Sequence, residues 1–213
     1  MTKRFVAEIL NGFLAILSVG IGCIVFLSCD NVYVGAILFS VALLTVCIMK
    51  FSLFTGKIGY IIESFNKEHL LLCIACLIGN VLGCFVLGTI AKIGMPYLET
   101  KAMVLFAPKL QQTEIQTIIR SFLCGVIIHI AVHMYNHKDS LAGIILGIPT
   151  FILSGFEHSI ADTFYLVLAS SFNIESLIFI VCVLLGNSLG GIITPLIEKA
   201  VKLLHAKEHQ AEL

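Results

Sequence analysis

Two short stretches carry most of the chemistry in an otherwise apolar chain. In Pro149-Thr-Phe-Ile-Leu-Ser-Gly-Phe-Glu-His-Ser159, Glu157 and His158 end an apolar run, and Asp162 follows soon after. Histidine changes charge close to neutral pH, so one held at membrane depth suits hydrogen-bond donation or proton exchange with a small solute. In Lys50-Phe-Ser-Leu-Phe-Thr-Gly-Lys-Ile-Gly59, Thr55 offers a hydroxyl that can bind a solute or cap a helix. A further set, His129, His133 and His137, recurs every fourth residue along one helical face, a spacing that suits a metal or haem. No other segment offers a matching pair, so His129 is expected at a helix interface and the other two near the cytoplasmic surface. Cys73-x-x-Cys76 likewise lacks a second ligand pair, and the eight cysteines read as small buried hydrophobes. No metal or cofactor is expected.

The elements that hold these residues follow from composition. Hydrophobic residues make up 59% of the 213 and charged residues only 12%, with a mean hydropathy of +1.05. A soluble domain carries about 25% charged residues, so most of this surface must face lipid. Thirteen basic residues balance thirteen acidic ones, which gives no reason to expect nucleic acid as a partner. A bilayer core of about 30 Å needs about 20 apolar residues in a helix. Ile9–Cys29, Asn31–Met49, Leu70–Ala91 and Ser176–Ile197 meet that length, Ser121–His137 is shorter, and Ser140–Phe156 continues past Asp162 into Thr163–Phe172. These make six crossings, the second and fifth interrupted. The first is too long for a signal peptide and no cleavage site follows it. Lys3, Arg4, Lys57, Lys67, Lys138, Lys199, Lys202 and Lys207 fall on one side and place both termini in the cytoplasm. Only a few residues precede the first crossing, too few for a long gating helix.

The chain also repeats itself. Leu77-Ile-Gly-Asn-Val-Leu-Gly83 in the third crossing matches Leu184-Leu-Gly-Asn-Ser-Leu-Gly190 in the sixth. Three crossings separate the copies, so the halves, about 5–92 and about 118–199 of a single domain covering 1–213, should lie inverted in the membrane. Asn80 and Asn187 put amides at membrane depth, and the neighbouring glycines allow close helix approach. Interrupted segments in corresponding positions point to a binding or conduction site, and that pointer falls on Phe54, Thr55, Phe156, Glu157 and His158.

At these residues the chain resembles a family. Gly155-Phe-Glu-His-Ser-Ile-Ala161 resembles the signature of the formate/nitrite transporter family of microbial small-anion channels. Leu53-Phe-Thr55 is similar to the loop in that family's broken second helix, and Leu185-Gly-Asn187 with Gly190-Gly191 resembles its sixth. The resemblance implies a homopentamer in a bacterial cytoplasmic membrane, each protomer an aquaporin-like all-α bundle of six helices with its own pore, no enzyme activity and no cofactor. It implies that His158 is the central pore histidine with Thr55 as partner, and that Phe39, Leu43, Leu53, Phe54 and Phe151 form two hydrophobic constrictions. It further implies that Lys109 in the long outer loop attracts anions and that Asn187 is a polar pore residue. Two positions depart from the pattern. Gly125 follows Cys124 and Asp162 follows Ala161, where the family usually has Asn in both places. Gly125 is expected to widen or depolarise the pore near a constriction, and Asp162 to add a titratable group beside the break.

The physical task is to move a small monovalent anion through two apolar rings. A charge at the membrane centre costs about 2.5–3.5 kcal/mol on insertion scales. Protonating a carboxylate of pKa about 4 at neutral pH costs roughly 4 kcal/mol, so passage as the anion and as the neutral acid both remain open. Glu157 would repel anions as a pore residue and is expected instead to hold the loop from behind the break. The alternatives are an ammonium or other small neutral or cation channel, a haem-binding redox subunit and a non-conducting scaffold. Paired Asn-Pro-Ala motifs, expected of an aquaporin, are absent from the sequence.

Overall fold

The computed structural model describes residues 2–62 and 66–211, with side chains in the last helix as far as residue 206. The side chain of Lys207, one of the charges that set the expected orientation, lies outside the described residues. Among the described residues the regular structure is entirely helical: α1 (Thr2–Ser28), α2 (Val32–Ile48), α3 (Phe54–Lys57) running into a 3₁₀ turn (Ile58–Ile62), α4 (Lys67–Gly94), α5 (Tyr97–Phe106) followed by a 3₁₀ turn (Ala107–Gln111), α6 (Glu114–Lys138), α7 (Ala142–Leu153), α8 (Ser159–Ala169) and α9 (Ile174–Ala211). Helices α1, α4, α6 and most of α9 are long and apolar enough to cross a membrane. The residues ahead of the first apolar run belong to α1 itself, which begins at Thr2.

Local sequence explains the helix ends. Asn31 accepts from the backbone of Tyr33 and Val34 to start α2, and Asn66 accepts from His69 to start α4. Thr113 and Gln116 form a reciprocal capping box on α6. The shorter helices arise where the chain breaks. Lys50 and Gly155 both take a left-handed backbone, at φ 55° and φ 67°, and the chain after each runs extended into a new helix.

Two long pairs form the frame, α1 along α4 and α6 along α9. Their close approach needs glycine. A Cβ on Gly79 would meet the carbonyl oxygen of Ile9, and one on Gly186 would lie 2.6 Å from that of Ile118. Each of these glycines precedes the asparagine of its repeat block, so it brings that asparagine against the neighbouring helix. Large apolar side chains stand exposed along the long helices, among them Leu10, Ile90 and Leu185. Water does not tolerate so much apolar surface, and lipid or neighbouring copies would cover it.

Candidate functional site

The two breaks meet inside the bundle. Thr55 in α3 and His158, the residue that caps α8, are both almost wholly buried, and Thr55 Oγ1 lies 2.9 Å from His158 Nε2. The other ring nitrogen fixes the roles. Ala161 N donates to His158 Nδ1 at 3.2 Å, so Nδ1 is an acceptor and the neutral ring carries its hydrogen on Nε2. The imidazole therefore donates to Thr55, which leaves the Thr55 hydroxyl hydrogen free to point at something else.

Apolar side chains surround this pair. The rings of Phe39 and Phe151 meet edge to face at 6.4 Å, and Phe151 stands 5.9 Å from the His158 ring. Phe39, Leu43, Leu53, Phe54 and Phe151 are each at most 6% exposed, while Phe156 is half-buried against the same core. Two cavities with no lining residue in common reach towards the breaks. One, of about 490 Å³, is lined by Leu43, Leu53, Gly56, Lys50, Lys57 and His69 among others. The second, of about 840 Å³, includes Gly155, Glu157, Lys101, Lys109, Arg120 and Asp30 in its lining.

Lys109 is not the free loop charge its position suggests. Its side chain is 16% exposed, ion-paired to Glu157 and 3.1 Å from Asp162 Oδ1. Burial pushes its ammonium towards losing the proton, but Asp162 and Glu157 outweigh that and hold its pKa above the ordinary lysine value. Glu157 also accepts from Gln112 at 2.6 Å. It thus ties the second break to the loop through Lys109 and Gln112, while lining the second cavity. Asp162 joins the same cluster, deeper in α8.

Asn80 and Asn187 do matching work. Asn80 accepts from Phe54 N at 2.9 Å and donates to the carbonyls of Gly12 and Ser52, both at 2.9 Å. Asn187 accepts from Ser159 N at 2.8 Å and donates to those of Ser121 and Glu157. Both amides are wholly buried and committed to the backbone of a break. Asn187, expected to face a pore, spends its polar atoms on α6 and the second break. Gly125 also sits differently from expectation. A Cβ there would strike the carbonyl of Asn187 and lie 2.9 Å from Gly191 N, so this position packs α6 on α9 and presents no side chain to a pore. His129 is buried with its ring 5.5 Å from that of Tyr60, while His133 and His137 stack at 4.0 Å further along α6.

Several contributors lie outside the residues singled out from sequence. Asn11 donates to the carbonyl of Lys50 and to Ser52 Oγ, and Arg120 donates to the carbonyl of Gly155 at 3.4 Å. Gln112 steadies Glu157. Asn11 and Arg120 each stand immediately before a helix position that receives a repeat asparagine, Gly12 and Ser121, which is the sequence signal that pairs them.

Comparison with known proteins places the fold and the family. The family model described as formate/nitrite transporter matches residues 1–198. No curated protein gives a significant match. A solved pentameric formate channel with formate bound is similar in fold, with a TM-score of 0.79 and 23% identity over 96% of this chain and 99% of that one. A solved FNT family ion channel is similar with a TM-score of 0.76 and 18% identity, over 94% and 90%. With its family model covering nearly the whole length and its fold shared with these channels, the chain belongs to the formate/nitrite transporter family.

Proposed function

We propose that the protein is a membrane channel for small monovalent anions such as formate, nitrite or hydrosulfide, with the Thr55–His158 pair at the centre of its path. The observation that carries this reading is the 2.9 Å contact between the two side chains, made where both broken helices restart. In this reading the chain is one transmembrane unit of six crossings, with α2–α3 and α7–α8 as the broken second and fifth. Its halves, about 5–92 and about 118–199, are inverted copies. The termini lie in the cytoplasm of a bacterial cell, five protomers assemble, each with its own pore, and no catalysis is involved. The solved pentameric formate channel with formate bound, with its similar fold, supports the assembly and the substrate class.

The mechanism rests on hydrogen-bond direction. His158 donates to Thr55, so the Thr55 hydroxyl hydrogen is the donor an anion meets after leaving water. On either side Phe39, Phe151, Leu43, Leu53 and Phe54 form apolar constrictions that exclude the hydration shell. The cavity at the Lys109 end supplies attraction, since Lys101, Lys109 and Arg120 outnumber Asp30 and Glu157 in its lining. Asn80 and Asn187 hold the two breaks in register and keep their backbone groups satisfied.

Proteoliposome flux of formate, nitrite, hydrosulfide, lactate and ammonium, each at about pH 5 and about pH 7.5, tests the assignment. Anion flux is expected in every arm where the ion is small, and ammonium flux without anion flux would overturn it. Thr55→Val should lower flux about tenfold or more, as loss of one hydrogen bond to a charged species costs about 1.5–3 kcal/mol, and His158→Asn should alter the pH dependence of flux. An unchanged profile from about pH 5 to about pH 8 removes His158 from the path.

A further inference from the structure

Asp162 has a place in the structure that the channel reading does not use. It lies in the first turn of α8 and is 2% exposed, and its two oxygens are unequal. Oδ1 stands 3.1 Å from Lys109 Nζ, while Oδ2 is buried without a hydrogen-bond partner among the described residues. The same ammonium is already ion-paired to Glu157, so one cation faces two buried carboxylates.

Among the described residues no neighbour brings a second cation into the cluster. Cys23 of α1, Cys124 of α6 and Tyr165 of α8 face Asp162 and are neutral donors or acceptors at physiological pH. Cys84 of α4 turns to the carbonyl of Ile160. On α5, Glu99 pairs with Lys92 and Lys101 with Asp30. Glu114 of α6 and Glu175 of α9 line the small cavity on another side of Lys109 and are acidic. His158 is engaged by Thr55 and Ala161. An ionised carboxylate oxygen with no partner is the costly arrangement in such a place, whereas a carboxylic acid is neutral there.

Resting on the channel reading above, we propose that Asp162 is a proton-binding site beneath the Lys109 mouth, neutral when the mouth admits anions and, once its proton leaves from Oδ2, a negative charge that opposes their entry. The mouth lining carries three cations against Asp30 and Glu157. Loss of the Asp162 proton cancels that surplus. The family's usual Asn at this position has no proton to lose, so the control belongs to this chain's own residue.

The test compares wild-type and Asp162→Asn channels in liposomes from about pH 5 to about pH 9. Taking the ratio of the two fluxes removes the anion's own titration. The ratio of wild-type to variant flux should fall as pH rises, approaching about tenfold per pH unit above the midpoint for one proton. A ratio that stays flat overturns the proposal. Infrared spectra of the wild-type channel with ¹³C-labelled aspartate provide a second reading that needs no variant. Asp30 and Asp139 are exposed, so a labelled protonated-carboxyl band at neutral pH can come only from Asp162. Its presence, and its loss in alkali, supports the proposal; its absence throughout overturns it, even where Asp162→Asn fails to assemble. If the wild type moves no anion at all, the channel reading has failed, and the infrared band still decides whether Asp162 holds a proton.

Discussion

Lys50 and Gly155 occupy matching places in the two helix breaks. Each has a left-handed backbone, each has its carbonyl oxygen bound by a side chain, Asn11 for the first and Arg120 for the second, and each is followed by an extended residue from which a new helix starts. The asparagine clamps match as well, Asn80 to Phe54 and Ser52, Asn187 to Ser159 and Glu157. The side chains on this shared backbone differ. At the position of Ser52, whose hydroxyl is hydrogen-bonded only to Asn11 among the described residues, the second break has Glu157 with its ion pair to Lys109. At the position of Leu53, the apolar residue that precedes α3, it has His158. Two copies of one backbone device thus carry unequal loads, with the chemistry concentrated in the second.

The sharpest way to break the comparison is to remove the clamps. Asn187→Ala strands the buried Ser159 N–H and the Glu157 carbonyl, each costing about 1–3 kcal/mol unless water reaches it. A loss of at least about 3 kcal/mol is expected, enough to abolish the assembled protein, and Asn80→Ala should do the same. Thermal unfolding in detergent, followed by size-exclusion chromatography, measures both. If only one of the two fails to assemble, the breaks are not equivalent in backbone terms.

The loads should separate where the clamps do not. Glu157→Gln removes a charge-assisted partner from partly buried Lys109 but leaves Asp162 beside it, so the expected loss is about 2 kcal/mol. Ser52→Ala at the matching position leaves Asn11 still bonded to the Lys50 carbonyl and should cost about 1 kcal/mol or less. The pH dependence has a definite sign. The folded-state pKa of Lys109 lies above its unfolded value of about 10.4, so the stabilisation from its pairing is fully present at neutral pH. It fades only as strongly alkaline pH passes through the folded value, and Glu157→Gln should bring that loss to lower pH. Equal losses in the two variants would show that the breaks carry the same load.

How far these features could be read from the residues varies in an instructive way. The breaks were legible, because Gly, Ser, Thr and charges interrupt apolar runs that should otherwise continue, and both lie within the segments named for them. The pairing of the repeat blocks was legible too, though the work of their asparagines was not. That work depends on hydrogen bonds to residues on other helices, which only the packed structure brings within reach. Lys109 read only as an anion-attracting charge of the outer loop because its partners, Glu157 and Asp162, are distant in sequence and lie on α8 and the break before it. Gly125 looked like a change of pore lining, whereas the separation of α6 and α9 leaves no room for a side chain there. The left-handed residue of the second break announces itself as glycine. That of the first is a lysine, which gives no such signal.

This last contrast supplies the smallest predicted effect and the most direct comparison of the two breaks. At φ 67°, Gly155 has open space around it, the nearest atom to an added Cβ being Arg120 Nη1 at 3.6 Å. Gly155→Ala should therefore cost about 1 kcal/mol from backbone strain alone, without steric conflict. Lys50 already bears that strain at φ 55°, in an exposed position with its carbonyl held by Asn11. Lys50→Gly relieves it, partly offset by the greater freedom of glycine in the unfolded chain, and should stabilise by up to about 1 kcal/mol. Opposite signs in the melting temperatures of these two variants are what one backbone geometry with two different residues demands. The same sign in both would mean that the first break relaxes to another conformation when its lysine is removed, and that the likeness of the two breaks depends on the side chain of Lys50.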